Sequence, residues 1–186
     1  DHQDLVFETL EAGKHCLVEK PVCHDFRDVW RAHELANEKG LKTKVGLTFR
    51  YAPAVMYMFD LIREGFIGKP YVFNGYEQNS QWLDPDNPMD KRLHKTKPVG
   101  EPEWGTDESR EGITVSSLEG YGAPTIDIGL ECIGSELSQV VGLLANMVPH
   151  RRRTNLDTER ERINVDDLVI FMGEAKNGAL FSMQSS

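Results

Sequence analysis

Cysteine is scarce. Three residues, Cys16, Cys23 and Cys132, occur in a chain of 186. An odd count without C-x-x-C spacing excludes a disulfide framework and a cysteine zinc site as organising features. It fits a reducing, cytoplasmic setting. Long apolar runs are missing too: none approaches the roughly 18 residues that a membrane-spanning helix requires, and no secretory leader pattern is visible. Positive charge is in deficit, with 21 Lys and Arg against 30 Asp and Glu, a net charge of -9. Such a surface does not attract nucleic acid or anionic lipid as a whole. The two basic islands, Lys91 to Lys97 and His150 to Arg153, read as solvated loops. No repeat, low-complexity tract or metal-ligand cluster is present.

What the chain does have is alternation. Residues 3 to 12 place Leu5, Val6, Phe7 and Leu10 at helical spacing, and Gly13 suits a stop. A short strand at 15–19 follows. A helix over 25–39 starts from Asp25 as N-cap, with Phe26, Val29, Trp30, His33 and Ala36 along one face. "KTKVGLTF", 42–49, reads as the next strand. Helix, strand, helix, strand with tight connections is the pattern of a parallel sheet covered by helices.

Beyond Arg50 the pattern changes. A helix is expected over 53–64 with Val55, Met58, Phe59 and Ile62 inward, then a strand at "PYVFNGYEQ". Residues 79 to 121 hold no sustained period, as in an active-site cover or an insertion. A helix follows at about 125–137, then strands at 139–148, 166–174 and 179–185, the last two joined by a turn at "KNG". The expected fold is therefore α/β followed by α+β. Residues 1–50 form a parallel sheet with helices on its faces, and 51–186 a strand-rich second domain.

"HCLVEKPV", 15–22, carries the chemistry. Four apolar-leaning residues run directly into Glu19, Lys20 and Pro21. In open parallel sheets, ligands bind beyond the carboxyl ends of the strands, where this carboxylate and ammonium fall. Pro21 restricts the backbone of Lys20 and so fixes how its side chain leaves the strand. The rarity of cis X-Pro bonds favours a trans Lys20–Pro21 peptide. A lysine so placed can donate to a substrate hydroxyl, or lose its proton when desolvated. Taken alone, the tripeptide favours the bland reading, a strand-end salt bridge between Glu19 and a neighbour with Lys20 in solvent.

The neighbouring residues add to it. His2, "TLEAGKHCLVEKP" and "GLTFRYAPAV" together resemble the Gfo/Idh/MocA family, the glucose–fructose oxidoreductase and inositol dehydrogenase group. The family's "AGKHV" turn into "EKP" corresponds to Ala12 to Pro21, with Cys16 in place of Val. Its "RY.P" junction corresponds to Arg50, Tyr51 and Pro53. The resemblance implies an NAD(P)-dependent oxidoreductase that moves a hydride between a secondary alcohol of a sugar, inositol or related polyol and NAD or NADP. It places Lys20 near the nicotinamide and the reacting carbinol. His2, Glu19, Lys20, Pro21 and Arg50 become cofactor-binding candidates.

The family's second motif, D-x-G-x-H-x-x-D, corresponds to "DIGLECIG". Asp127 and Gly129 agree, whereas Glu131 stands at the His position and Gly134 at the final Asp. Asp127 and Glu131 are four apart, so a helix puts them on one face. Catalytic candidates are therefore Lys20, Asp127 and Glu131, the last as a substitute base. The bland alternatives are a first-turn carboxylate for Asp127 and an exposed helix residue for Glu131.

No G-x-G-x-x-G turn is present. "EGYGAPT" has Thr125 where the third Gly would fall. The resemblance implies that residues 1–50 are the C-terminal part of a Rossmann-like dinucleotide-binding domain whose glycine-rich half lies before residue 1, so the chain is read as an internal piece. Trp82, Arg92 and His94 are weaker candidates for a sugar-binding wall, with Trp104 beside them in the same loop. A homo-oligomer is expected from the family alone. The rival to an enzyme is a non-catalytic relative that binds sugar or nucleotide, or serves in assembly; the altered His and Asp positions favour it.

Overall fold

A computed structural model of the chain describes residues 2–23, 26–78, 83–88, 118–152, 155–162 and 166–186. The Asp25 cap and the loop candidates Trp82, Arg92, His94 and Trp104 lie outside the described residues. The chain divides into two compact units, Asp1–Thr48 and Phe49–Ser186.

The first unit is helix α1 (His2–Glu11), strand β1 (Cys16–Val18), helix α2 (Phe26–Glu38) and strand β2 (Thr43–Val45). β1 and β2 pair in parallel, with Leu17 opposite Lys44. Parallel neighbours require a crossover, which α2 supplies. The core is Val6, Leu10, Ala32 and Ala36, with Phe7, Val18, Leu35 and Leu41 packed around it. The small alanines let the two helices approach closely. Of the face read from the sequence, Ala36 is buried, whereas Phe26 and Trp30 are 62% and 60% exposed. Ala32 is the other buried residue of α2.

Both strands are shorter than the sequence pattern indicated. The ladder continues through Gly46 N–H to Val18 O at 2.8 Å, and then Leu47 N–H turns back to Val45 O. The Lys20–Pro21 peptide is cis, not the trans form that frequency favours.

The second unit opens with a 3-10 turn (Thr48–Tyr51, spanning the boundary) and helix α3 (Pro53–Arg63), which has Pro in its first turn. Its inward residues are the expected ones, with Phe59 buried and Val55, Met58 and Ile62 half-buried. Strand β3 (Val72–Glu77) follows. A π-helical turn (Leu118–Gly122) then leads into helix α4 (Ala123–Ile133), and strands β4 (Leu137–Ala145), β5 (His150–Arg151), β6 (Glu161–Arg162), β7 (Leu168–Ala175) and β8 (Leu180–Ser185) complete it. The main sheet has the order β3-β8-β7-β4, with β3 parallel to β8 and the other pairs antiparallel. The expected "KNG" turn joins β7 to β8. Asn177 braces it, accepting from Ala179 N–H at 3.0 Å and donating to Ile133 O at 2.9 Å.

α4 covers one face of this sheet. Ile133, Phe181 and Met183 form the core, with Phe73, Ile126, Leu130 and Phe171 against it. Phe181 stands between two aromatic neighbours, 4.9 Å from Phe73 and 5.8 Å from Phe171 by ring centroids. The contact depends on Gly129. A Cβ there would lie 2.6 Å from ring atoms of both Phe181 and Phe73. Below the sheet end, Arg151 is buried beside Asp167, whose oxygens each accept a backbone N–H, from Met147 and Val148, at 2.8 Å. Arg151 also donates to Asp84 O and Arg160 to Asp86 Oδ1, anchoring residues 83–88.

Gly129→Ala tests the close packing. Overpacking costs about 1–3 kcal/mol, which outweighs the ~1 kcal/mol that alanine gains over glycine in a helix. Thermal denaturation should show a lower midpoint for the variant. An unchanged or higher midpoint contradicts the ring contact.

Candidate functional site

Two groups of residues carry chemistry, one in each compact unit. In the first, the carboxyl ends of β1 and β2 bring Glu19 and Gly46 together. The Glu19 carboxyl group occupies the space that a side chain at residue 46 would need, with its Cδ 2.7 Å from an ideal Cβ position. Glycine at 46 is therefore a matter of room for a carboxylate. His2, in its Nδ1–H tautomer, donates to Pro21 O at 2.9 Å and closes the α1 end onto the segment after β1. Lys20 is half-buried beside these residues. A carboxylate and an ammonium at parallel strand ends fall where ligands bind in open parallel sheets.

In the second unit, α4 begins at Ala123, so Asp127 lies in its second turn, past the terminal N–H groups. The helix-dipole explanation of Asp127 therefore fails. Asp127 and Glu131 share a face, and both meet Arg50. Arg50 Nε is 3.1 Å from Asp127 Oδ2, and Arg50 Nη2 donates to Glu131 Oε2 at 2.9 Å. Arg63, at the end of α3, donates to Glu131 Oε1. Glu131 is thus engaged through both oxygens, unlike an unremarkable exposed helix residue. Arg50, given to the cofactor by sequence, is engaged with this acidic pair.

Asp127 Oδ2 is inaccessible to solvent and has no well-angled hydrogen bond among the described residues. Burial pushes the Asp127 carboxyl above the ordinary aspartate range; Arg50 pulls it down, and the Glu131 charge raises it again. The Cys132 thiol is also held up, by burial and by Glu131. That disfavours a thiolate nucleophile here. Beside these groups lies an open recess of about 420 Å³ lined by Arg50, Asp127, Leu130, Glu131, Ser135 and Glu136. Gly134 ends α4 in the left-handed conformation, φ 63°. The position that carries Asp in the family motif is here a helix cap.

The structure therefore brings Arg50, Asp127 and Glu131 together in one unit, and His2, Glu19 and Pro21 in the other. Sequence reasoning missed Arg63. Its only signal was a basic residue in the last turn of α3, which any helix dipole would equally favour.

Residues 1–47 match the oxidoreductase family with an NAD-binding Rossmann fold, GFO_IDH_MocA. That match lies within the first compact unit. Over its whole length the chain is 26% identical to levoglucosan dehydrogenase from Pseudarthrobacter phenanthrenivorans, covering 46% of that protein. It also matches the structure of levoglucosan dehydrogenase in complex with NADH and L-sorbose, with a TM-score of 0.80 and 26% identity. That match covers 100% of this chain and 44% of the other. An oxidoreductase domain protein from Kribbella flavida matches with a TM-score of 0.82 and 26% identity, over 100% of this chain and 45% of that one. The chain spans less than half the length of these relatives. Its fold is a Rossmann-like parallel pair followed by a mixed, strand-rich sheet. No helix among the described residues is long and apolar enough to cross a membrane.

The raised Asp127 titration makes a stability prediction. A carboxyl whose folded pKa exceeds its unfolded value holds a proton more tightly when folded, so its contribution to stability falls as pH rises through the interval between the two values. That interval starts at the ordinary value of 3.8. Asp127→Asn should therefore gain stability relative to the native chain as pH increases through this range, read by thermal midpoints at several pH values. A difference that is flat or reversed in sign contradicts the burial of Asp127.

Proposed function

We propose that the intact protein is an NAD(P)-dependent oxidoreductase acting on a secondary alcohol of a sugar or related polyol, in the cytoplasm. The observation that carries this reading is the recess on α4, where Arg50 holds the motif carboxylates Asp127 and Glu131. The similarity to a sugar dehydrogenase, which extends over the whole chain, supports it. His2, Glu19, Lys20 and Pro21 would form the nicotinamide side of the site.

The bound nucleotide supplies hydride transfer at its nicotinamide. The protein's part is positioning and proton handling. Lys20 would hold and polarise the substrate hydroxyl through its ammonium. A carboxylate of α4 would take the hydroxyl proton as the carbonyl forms, for which a distance of about 2.6–3.2 Å is required. Leu130 offers an apolar wall and Ser135 a hydroxyl for the rest of the substrate.

A second reading has one observation in its favour. Glu131, at the family's His position, is already engaged through both oxygens. A binding or assembly module would tolerate that. Nucleotide-dependent turnover of the intact protein on a panel of sugars and polyols separates the two. Lys20→Met should reduce turnover by the 10²-fold or more, on the order expected for a lost acid–base group. Unchanged turnover in that variant removes Lys20 from the chemistry, and nucleotide or sugar binding with no turnover in the native protein favours the module.

The outer face of the main sheet supports a homo-oligomer. Tyr76, Val141, Leu143, Ile170 and Met172 point away from α4 and are exposed. Contiguous apolar area of this kind marks protein contacts. Sedimentation of the native protein should give at least a dimer, and Met172→Glu should dissociate it; a native monomer overturns this assignment.

A further inference from the structure

Glu131 is where the chain departs from the family motif, and its surroundings give it a task other than taking a proton. It accepts from Arg50 on one oxygen and from Arg63 on the other. Arg50 comes from the turn before α3, Arg63 from the last turn of α3, and Glu131 from the third turn of α4. One carboxylate thus ties three segments. Arg63 is itself held, with Nη1 3.2 Å from Asp60 Oδ1 and its guanidinium carbon 5.9 Å from the Phe59 ring centre. Asp127, one turn earlier on the same helix face, has a buried oxygen with no good hydrogen bond among the described residues.

We propose that Arg63 and Glu131 are a positioning pair: the two guanidinium groups clamp Glu131, the clamp keeps Arg50 beside Asp127, and Asp127 is the α4 carboxyl group that exchanges a proton. The use of that proton rests on the oxidoreductase reading above; the clamp does not. The reasoning is geometric. A base must present a lone pair to its substrate, and each Glu131 oxygen already faces a guanidinium donor. Two charge-assisted bonds orient that carboxylate toward the guanidinium groups. Asp127 Oδ2 has a cation nearby without a comparable bond. The charged groups that face Asp127 within its unit are Arg50 from the turn, Glu131 from its own helix and, behind Glu131, Arg63 from α3.

The clamp predicts how each partner moves the Asp127 titration. Glu131→Gln removes a negative charge near Asp127 and should lower its midpoint. Arg63→Met leaves Glu131 less neutralised and should raise it, and Arg63→Lys should return it toward the native value. The readout is isotope-edited infrared titration of the carboxyl band in the intact protein, assigned through its loss in Asp127→Asn. Circular dichroism melts identify folded variants. A midpoint that Arg63→Met and Glu131→Gln both leave unmoved, in folded protein, overturns the proposal and reduces the ion pair to a structural tie.

Turnover gives a separate arm. Loss of a general base costs about 10²–10⁴-fold. Glu131→Gln should cost less than this range and Asp127→Asn should fall within it; the reverse order makes Glu131 the base and overturns the proposal. Titration shifts as expected in a native protein that turns over no sugar or polyol support the clamp and sink the oxidoreductase reading instead.

Discussion

The absence of a side chain at residue 129 fixes how close α4 comes to its sheet. Two phenylalanine rings occupy the space where a Cβ would stand. With Gly129 pressed against Phe73 and Phe181, residues two positions away on either side turn to the opposite flank of the helix. Those residues are Asp127 and Glu131, and they meet Arg50 and Arg63 there. Packing on one side of α4 thus determines which carboxylates enter the recess on the other.

The ion pairs formed on that flank matter for placement more than for stability. Arg50 is 30% exposed and Arg63 60% exposed, so solvent screens both. Pairs of this kind contribute little to stability. What they provide is direction. Glu131 is held between two donors, while Asp127 gives up solvent without gaining a matching bond. Burial then raises its proton affinity in a site where a group titrating nearer neutral pH is useful for acid–base work.

Much of this was legible in the sequence. The four-residue spacing of Asp127 and Glu131 put them on one face, and α3 buried the predicted residues because its apolar period was regular. The helix–strand–helix–strand rhythm gave the parallel pair, and "KNG" its hairpin. Other features were hidden for physical reasons. The orientation of α2 was read only in part: Ala36 is buried as expected, but the small Ala32 joins it in the core rather than the large Phe26 and Trp30. The Arg63 clamp was invisible because it joins residues 68 apart, which no local period records. Gly46 looked like a strand residue until the Glu19 carboxyl group was seen to need its space. The family resemblance supplied the redox reading, which spacing alone could not.

The central claim is that Glu131 is occupied by Arg50 and Arg63, which leaves Asp127 as the α4 carboxyl group free to meet a ligand. A crystal structure of the intact protein with NADH and a bound sugar tests it most directly. The account predicts an Asp127 oxygen within about 2.6–3.2 Å of a sugar hydroxyl, with both Glu131 oxygens still on Arg50 and Arg63. Glu131 turned onto the sugar, with Asp127 away from it, would contradict it.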